Sequence, residues 1–238
     1  VFQIYIFNLS RWRPKLVKKY LLDQVRQELG DDYDVKTHFT PSYNPWDQRL
    51  CAVPEGDMFA AIREKRAEVV TDHIECFTES GIQLKSGRAL QADIIVLATG
   101  LNLKVMGGAQ LTVDGRSIDP SKLCVYRGMM FGNVPNLAQV FGYTNSSWTL
   151  KSDLTGDYVC RLLNHMRRTG TRIAVPRLQE GTVEEEPMLN FTSGYVLRSI
   201  GQFPKQGLRL PWRLYQNYVL DFLLLHLRPI RDKVLEFK

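Results

Sequence analysis

The feature that most constrains the fold is a run of aliphatic residues, Ile94-Ile95-Val96-Leu97, which ends at Ala98-Thr99-Gly100. A continuous run of β-branched and aliphatic residues is typical of a strand covered on both faces, as in a parallel sheet. Gly100 allows a positive φ, and the carboxyl ends of such strands bind ligands in α/β proteins. The run therefore predicts a buried central strand, followed either by a ligand-facing turn or by an ordinary surface turn.

Composition is that of a globular protein. The 238 residues are 44% hydrophobic and 24% charged, which suffices for one large domain or parts of two. The net charge is +6, but the basic residues cluster only between positions 11 and 19. This cluster predicts either a solvated helix face or a patch that faces phosphates or a membrane surface. Nucleic acid is not a leading hypothesis.

Cysteine and histidine spacing predicts no metal site and no disulfide framework, because the chain has neither a C-x-x-C nor an H-x-x-x-H pair. We expect reduced thiols in a cytoplasmic protein. The most apolar stretch, residues 218–227, contains Asp221 and is far shorter than the roughly 20 residues of a membrane span. The chain opens on Val1 without a signal-peptide pattern, so we expect it to continue a longer protein.

Hydrophobic periodicity predicts three helices. The first covers residues 11–29, with Pro14 in its first turn and Gly30 as its stop. Its apolar residues at helical spacing are Trp12, Leu16 and Tyr20 and then Leu21, Val25 and Leu29. The second covers 149–168, and the third lies within 211–227. Residues 36–59, with three prolines, predict an ordered irregular segment. Short strands are predicted at 67–72, 74–80, 81–87, 123–126 and 137–142.

Four ordered segments together carry a family resemblance: "HFTPSYNPWDQRLCAVPEGDMF", "ADIIVLATGLNL", "YRGMMFGNVPNLAQVFGYTNSSWTLKSDL" and "GYVLRS". They closely resemble the C-terminal half of flavin-dependent Baeyer-Villiger monooxygenases, in particular the ethionamide-activating type found in mycobacteria. The resemblance implies an α/β fold that holds only the C-terminal parts of two Rossmann-like dinucleotide-binding domains. It implies that residues 1–100 belong to the NADPH domain, with a helical insertion and an active-site loop, and 101–238 to the FAD domain, with a C-terminal extension.

Two departures from the family pattern are equally informative. The chain has no G-x-G-x-x-G after a strand, and the family fingerprint F-x-G-x-x-x-H-x-x-x-W is also absent. The loops that hold the phosphates of FAD and NADPH would therefore lie in an N-terminal half that is missing. We expect the chain to need that half for a complete site and to be inactive alone.

Arg49, in "WDQRLC", aligns with the active-site arginine of the family and is the predicted catalytic residue. Oxygen transfer to a carbonyl develops negative charge on oxygen, which a permanently charged guanidinium stabilises. The resemblance also places this group near the nicotinamide amide. The alternative is an arginine that ties down a proline-rich loop through backbone carbonyls.

The predicted cofactor-binding residues lie in two places: Thr99, Gly100, Gly142, Asn145, Trp148 and Thr149. The resemblance implies that Thr99 and Gly100 carry the chain back to the FAD domain, and that the turn 142–148 faces the pyrimidine end of the flavin. The helix after this turn would point its positive end at the flavin. The alternative is a capped helix with nothing bound.

Other candidate positions are assigned no catalytic role. Tyr195, Arg198 and Trp212 would either line the substrate mouth or belong to the core. His38 matches a family position and is interpreted as structural.

The first functional hypothesis is the C-terminal portion of an FAD- and NADPH-dependent monooxygenase. It would insert one oxygen atom from O₂ into ketones or transfer it onto sulfur or nitrogen. The alternative is a truncated, inactive remnant or interaction module of the same fold. Peripheral membrane attachment through residues 11–19 and 212–227 is compatible with either.

Overall fold

The computed structural model describes residues 2–51 and 53–238, which divide into two units. The N-terminal unit is Asn8–Leu101, and the C-terminal unit is Asn102–Lys238 with the first residues up to Phe7. The α-helices are α1 (Phe2–Trp12), α2 (Pro14–Leu29), α3 (Val35–Phe39), α4 (Asp57–Arg63), α5 (Trp148–Thr169), α6 (Gly194–Leu197) and α7 (Tyr218–Phe222). The strands are β1 (Ile74–Thr78), β2 (Gly81–Leu84), β3 (Ala89–Gln91), β4 (Leu111–Val113), β5 (Arg116–Ile118), β6 (Val125–Tyr126), β7 (Met130–Phe131), β8 (Ala174–Pro176), β9 (Glu185–Pro187), β10 (Lys205–Gly207) and β11 (Leu235–Phe237).

Helix α2 matches most of the helix predicted at 11–29. It has Pro14 in its first turn and ends at Gly30, whose φ of 86° suits a glycine. The start differs, since Arg13 has non-helical dihedrals and separates α1 from α2. The predicted apolar face is wrong for Trp12, Leu16 and Tyr20, which are 74%, 58% and 57% exposed, whereas Leu21, Val25 and Leu29 are half-buried. Helix α2 instead packs against α3 and α4 and buries Val17.

The predicted β-meander is confirmed for its middle strands. Strands β1, β2 and β3 form an antiparallel sheet in that order. Gly81 is required at the first hairpin, because its φ is +152° and a Cβ there would overlap the carbonyl oxygen of Leu90. The strand predicted at 67–72 is wrong; these residues lie in irregular backbone, and the third strand is β3.

The buried central strand predicted at 94–97 is not present in the described structure. Ile94, Ile95, Val96 and Leu97 are 82%, 39%, 81% and 71% exposed and lie in irregular backbone. The physical reason is that a central strand needs a partner on each edge, and no described strand pairs with this run. The positive φ expected at Gly100 is confirmed at +106°.

The mixed α/β content is confirmed, but the described residues do not contain the parallel sheet of a Rossmann-like domain. Every pairing between the described strands is antiparallel. Parallel contacts occur only as isolated bridges, Pro45 with Gln48 and Cys124 with Lys205. A parallel pair needs a crossover connection of a dozen or more residues. Most strands described here instead pair with the next strand in the sequence and run antiparallel to it.

The core of the C-terminal unit lies between α5 and the β6–β7 hairpin. Helix α5 confirms the helix predicted at 149–168 and buries Leu154, Tyr158, Leu162 and Met166. The hairpin is fully buried. The strand predicted at 123–126 is confirmed in β6. The strand predicted at 137–142 is wrong, since this segment is irregular and pairs with no described strand; Gln139 donates its backbone N–H to the carbonyl of Met129.

The final predicted helix is shorter than residues 211–227. Helix α7 begins only at Tyr218, after Asn217 caps it by accepting from the N–H groups of Val219 and Leu220, and it continues as a π-helix, Leu223–Leu227. Trp212 precedes the helix and packs edge-on against Tyr126 in the core. Within the described part of the chain, no helix combines the length and the apolar character that crossing a membrane requires.

Candidate functional site

The irregular loop 40–56 of the N-terminal unit is tied down by two basic residues of the preceding helices. Arg11 pairs with Asp47 at 3.0 Å and donates to the carbonyl of Trp46 at 2.9 Å. Lys18 donates to the carbonyls of Pro41 and Tyr43. The alternative interpretation of Arg49 was that it ties down the loop through backbone carbonyls. In the structure, Arg11 and Lys18 of the basic cluster make these contacts.

Arg49 lies on the same loop, and its side chain takes no part in these contacts. It is exposed and makes no hydrogen bond or ion pair with the residues that the structure describes. It lines a cavity of about 840 Å³ between α2 and the loop. The other lining residues are largely apolar or aromatic, among them Leu21, Leu22, Val25, Phe39, Trp46, Met58 and Phe59. This arrangement presents a free guanidinium at the wall of a mainly apolar space.

The segment 142–149 of the C-terminal unit brings four of the predicted cofactor-binding residues together at the start of α5. Ser147 occupies the N-cap position, but its side chain makes no capping bond and instead contacts Thr149 Oγ1 at 2.7 Å. Ser147 therefore caps none of the backbone N–H groups in the first turn of α5, a 22-residue helix whose positive end attracts an acceptor.

Gly142 is packed against Trp148 within this segment. A Cβ at Gly142 would overlap the Cγ, Cδ1 and Cδ2 atoms of the indole, although Trp148 itself is 58% exposed. Position 142 therefore requires a glycine because the Trp148 side chain, in the same segment, approaches its backbone closely.

Gln216 forms hydrogen bonds with the middle of segment 142–149. Its Oε1 accepts from the backbone N–H of Thr144 at 2.8 Å and from the Thr144 hydroxyl at 3.1 Å. Its carbonyl oxygen accepts from Asn145 Nδ2 at 2.8 Å. Asn145 is buried and so serves as an anchor of the turn.

A buried charged cluster lies directly behind the segment. Asp221 Oδ2 accepts from Lys151 Nζ at 2.8 Å and from the Tyr143 hydroxyl at 2.7 Å, and all three side chains are buried. Burial raises the pKa of Asp221 and lowers the pKa of Lys151, while the opposite charge of each partner opposes these shifts. Burial likewise raises the pKa of Tyr143, so its hydroxyl remains a donor to the carboxylate.

A second cluster in the C-terminal unit joins β6 to the end of the chain. Asp232 Oδ2 accepts from the Tyr126 hydroxyl at 2.6 Å and pairs with Arg127 at 2.9 Å. Burial alone would raise the pKa of Asp232, but hydrogen bonds from Tyr126, from the N–H groups of Val234 and Leu235 and from Arg127 lower it. Asp232 and Asp221 both line a cavity of about 220 Å³.

The remaining candidates are placed as follows. Thr99 and Gly100 are exposed in the N-terminal unit. Trp212 belongs to the core, whereas Tyr195 is half-buried and Arg198 exposed. His38 contacts Thr71 Oγ1 at 2.9 Å. No group of three or more His, Cys, Asp or Glu side chains suited to a metal ion occurs within residues 2–51 and 53–238.

Sequence reasoning missed the residues that support segment 142–149. Lys151 lies four positions before Thr155 and seven before Tyr158, on the buried face of α5, and this spacing indicates a buried lysine. Asp221 interrupts the most apolar stretch of the chain. Lys151 and Asp221 are opposite charges that each lie among buried or apolar positions, and this pattern could have predicted a buried ion pair. Gln216 gave no such signal.

Comparison with known proteins identifies relatives along the whole chain. No family model matches. The chain is 50% identical over 235 residues to the FAD-containing monooxygenase EthA of Mycobacterium tuberculosis, an alignment that covers 99% of this chain and 48% of that protein. The resemblance to the C-terminal half of a flavin-dependent monooxygenase is confirmed.

Further relatives agree. The probable FAD-binding monooxygenase AlmA of Acinetobacter baylyi is 48% identical over 233 residues, 98% of this chain and 47% of that protein. The chain thus spans about half the length of the curated relatives it matches. A crystal structure of OTEMO in an FAD-bound form superposes with a TM-score of 0.52 over 71% of this chain and 33% of that chain, at 17% identity. At that identity the match speaks for a shared fold alone.

Proposed function

We propose that this chain is the C-terminal portion of an FAD- and NADPH-dependent monooxygenase of the Baeyer-Villiger type. The enzyme inserts one oxygen atom from O₂ into a ketone or transfers it onto sulfur or nitrogen. The naming of the relatives as FAD-containing or FAD-binding monooxygenases supports the reaction class. The resemblance of the motifs supports NADPH as reductant and ketones or sulfur compounds as substrates.

Segment 142–149 fits one end of a flavin. The pyrimidine edge of the ring presents acceptor atoms, and the backbone N–H groups at the start of α5, which Ser147 does not cap, are donors that suit them. When bound, FAD would supply the oxygen chemistry. The chain's own part is to bind that edge through segment 142–149 and to favour negative charge on it through the helix dipole. The chain has no G-x-G-x-x-G loop for the pyrophosphate, so the fit covers the ring end alone.

Arg49 carries the proposal on the substrate side. Two neighbouring cations, Arg11 and Lys18, hold the loop backbone, whereas the Arg49 guanidinium remains available at the wall of the 840 Å³ cavity. A fixed positive charge on a mainly apolar wall stabilises negative oxygen atoms that form during oxygen transfer. Arginine cannot serve as the acid in this step, because it does not release its proton.

The experiment uses the joined enzyme, which is this chain fused to the N-terminal half of the 50% identical M. tuberculosis relative. We expect Arg49→Ala to lower the rate of ester formation from a ketone by about 10²-fold or more, as removal of a charge-stabilising donor does. Because Arg49 is exposed and makes no hydrogen bond or ion pair with the described residues, the change in the free energy of unfolding should stay within about 0.5 kcal/mol. Product is measured by gas chromatography, and NADPH consumption by absorbance.

Two control variants separate catalysis from loop support. Arg26→Ala removes an exposed arginine of α2 that pairs with Asp23 and should leave the ester rate unchanged. Arg11→Ala should loosen the loop and raise the susceptibility of residues 40–56 to proteolysis, whereas Arg49→Ala should not. Wild-type ester yield from the Arg49→Ala protein would remove this residue from the mechanism.

A further inference from the structure

The support of segment 142–149 comes from one short stretch of chain, residues 216–221. Gln216 receives three hydrogen bonds, all between 2.8 and 3.1 Å. Its side-chain Oε1 accepts two from Thr144, and its backbone carbonyl oxygen accepts one from Asn145 Nδ2. Each bond crosses about 70 positions of sequence, so the contacts are tertiary rather than part of the local turn. They fix the backbone of the segment at its centre.

Asp221 fixes the same segment at both ends. Its Oδ2 receives the hydroxyl of Tyr143, which follows Gly142, and the ammonium of Lys151, which lies in the first turn of α5. One carboxylate oxygen thus sets the separation between the start of the turn and the start of the helix. The side chains of Lys151 and Asp221 are 1% and 6% exposed, so water cannot readily replace either partner.

The position of Lys151 allows little adjustment. A Cβ at Gly128 would lie 3.2 Å from Lys151 Nζ and 2.7 Å from Leu214 Cδ1, so the backbone of Gly128 closes the space beside the ammonium. Gly128 has a φ of +70°, which keeps larger residues out of this position. The ammonium is therefore confined to the side of Asp221.

We infer that Gln216 and Asp221 are positioning residues that hold segment 142–149 in the shape that contacts the flavin. The inference rests on the proposed function for its cofactor and on the contacts above for its geometry. Neither side chain needs to touch the flavin. Each acts through the backbone and side chains of the segment, so its loss should disturb the flavin end of the site before it disturbs the core of the C-terminal unit.

The test compares Gln216→Ala and Asp221→Asn with Asp232→Asn in the joined enzyme. Asp232 is the matched control, because it also joins a tyrosine hydroxyl to a cation in the same unit, and none of its described hydrogen bonds or ion pairs reaches segment 142–149. Hydrogen exchange of peptides spanning 142–149 is measured by mass spectrometry without FAD. FAD affinity is measured by fluorescence titration, and the flavin environment by visible circular dichroism.

We expect exchange in segment 142–149 to become at least tenfold faster in Gln216→Ala and Asp221→Asn, and to stay unchanged in Asp232→Asn. The dissociation constant for FAD should rise at least tenfold in the first two variants, with an altered visible dichroism, and by less than threefold in the control. Gln216→Ala keeps the test decisive if Asp221→Asn, which strands a buried lysine, does not fold.

The two proposals fail in different ways. Unchanged exchange in Gln216→Ala overturns the positioning role whatever the cofactor does. Faster exchange with wild-type FAD affinity and dichroism shows that the segment is held for stability and not for flavin. A wild-type joined enzyme that binds no FAD overturns the proposed function itself, and the exchange data then still decide the geometric part.

Discussion

Replacing Gly142 by alanine distinguishes two reasons for a glycine at this position. The sequence predicted that the backbone of Gly142 approaches a cofactor. The structure shows a close neighbour within the chain, because a Cβ would overlap three atoms of the Trp148 indole. The φ of Gly142 lies outside the left-handed region, so alanine can adopt the backbone conformation and the cost arises from the overlap.

The magnitude follows from how easily the indole can move. Overpacking a well-packed contact costs about 1–3 kcal/mol. Trp148 is 58% exposed, so the ring can turn outward, and we expect a cost in the lower part of that range, about 1–2 kcal/mol. If FAD selects the wild-type arrangement of the segment, this cost raises the dissociation constant for FAD by about 5- to 30-fold, since about 1.4 kcal/mol corresponds to tenfold.

The assay is a double-mutant cycle on FAD affinity in the joined enzyme, with Gly142→Ala, Trp148→Ala and both together. If the indole is the obstacle, Gly142→Ala should weaken binding by less than twofold once Trp148 has been truncated. An undiminished effect of Gly142→Ala in the Trp148→Ala background would refute this reasoning. It would support the original prediction that the cofactor itself approaches the glycine backbone.

Three further predictions concern stability, thiol chemistry and the isolated chain. Asp232→Asn should lower the free energy of unfolding at pH 7 by about 2–3 kcal/mol, measured by urea unfolding. Because the folded pKa of Asp232 lies below its usual value, the wild-type contribution is complete above about pH 4 and is lost as the pH falls through the folded pKa, a loss the variant should lack. Burial raises the pKa of Cys124 to about 12, so at pH 8 iodoacetamide should modify the three exposed cysteines and spare Cys124; mass spectrometry showing equal labelling would contradict this. The chain expressed alone should be colourless and self-associating, and a monomeric yellow protein on size exclusion with visible detection would disprove that expectation.

Local pattern was a reliable guide where an element carries its own signals. Helix α5 has an apolar residue at every fourth position and ends at Gly170, whose φ of 70° is the expected C-cap conformation. The turns of the β1–β2–β3 sheet were marked by glycine for the same reason. These features depend on residues close in sequence, so the sequence alone suffices to predict them.

Tertiary contacts decided the elements that were mispredicted. Residues 137–142 have a strand-like composition, but no described strand pairs with them, and the segment is irregular. Among the candidate site residues, Arg49 and segment 142–149 were predicted from motifs, and their roles stay predictions. The role of Gln216 was not predicted, because nothing in the sequence around a single glutamine indicates a hydrogen-bond partner 72 positions away.

The aliphatic run 94–97 shows what the sequence encodes beyond the contacts of this chain. Burying four such side chains is worth about 1.5–3 kcal/mol each, a sum comparable with the stability of a whole domain. Yet Ile94 and Val96 are 82% and 81% exposed, whereas the two-residue strands β6 and β7 are completely buried. The run therefore has the composition of a strand covered on both faces but lacks described neighbours on either edge. If the proposed function holds, the partners of this strand belong to the half of the relatives that the chain does not span. Binding of that half would then bury the run.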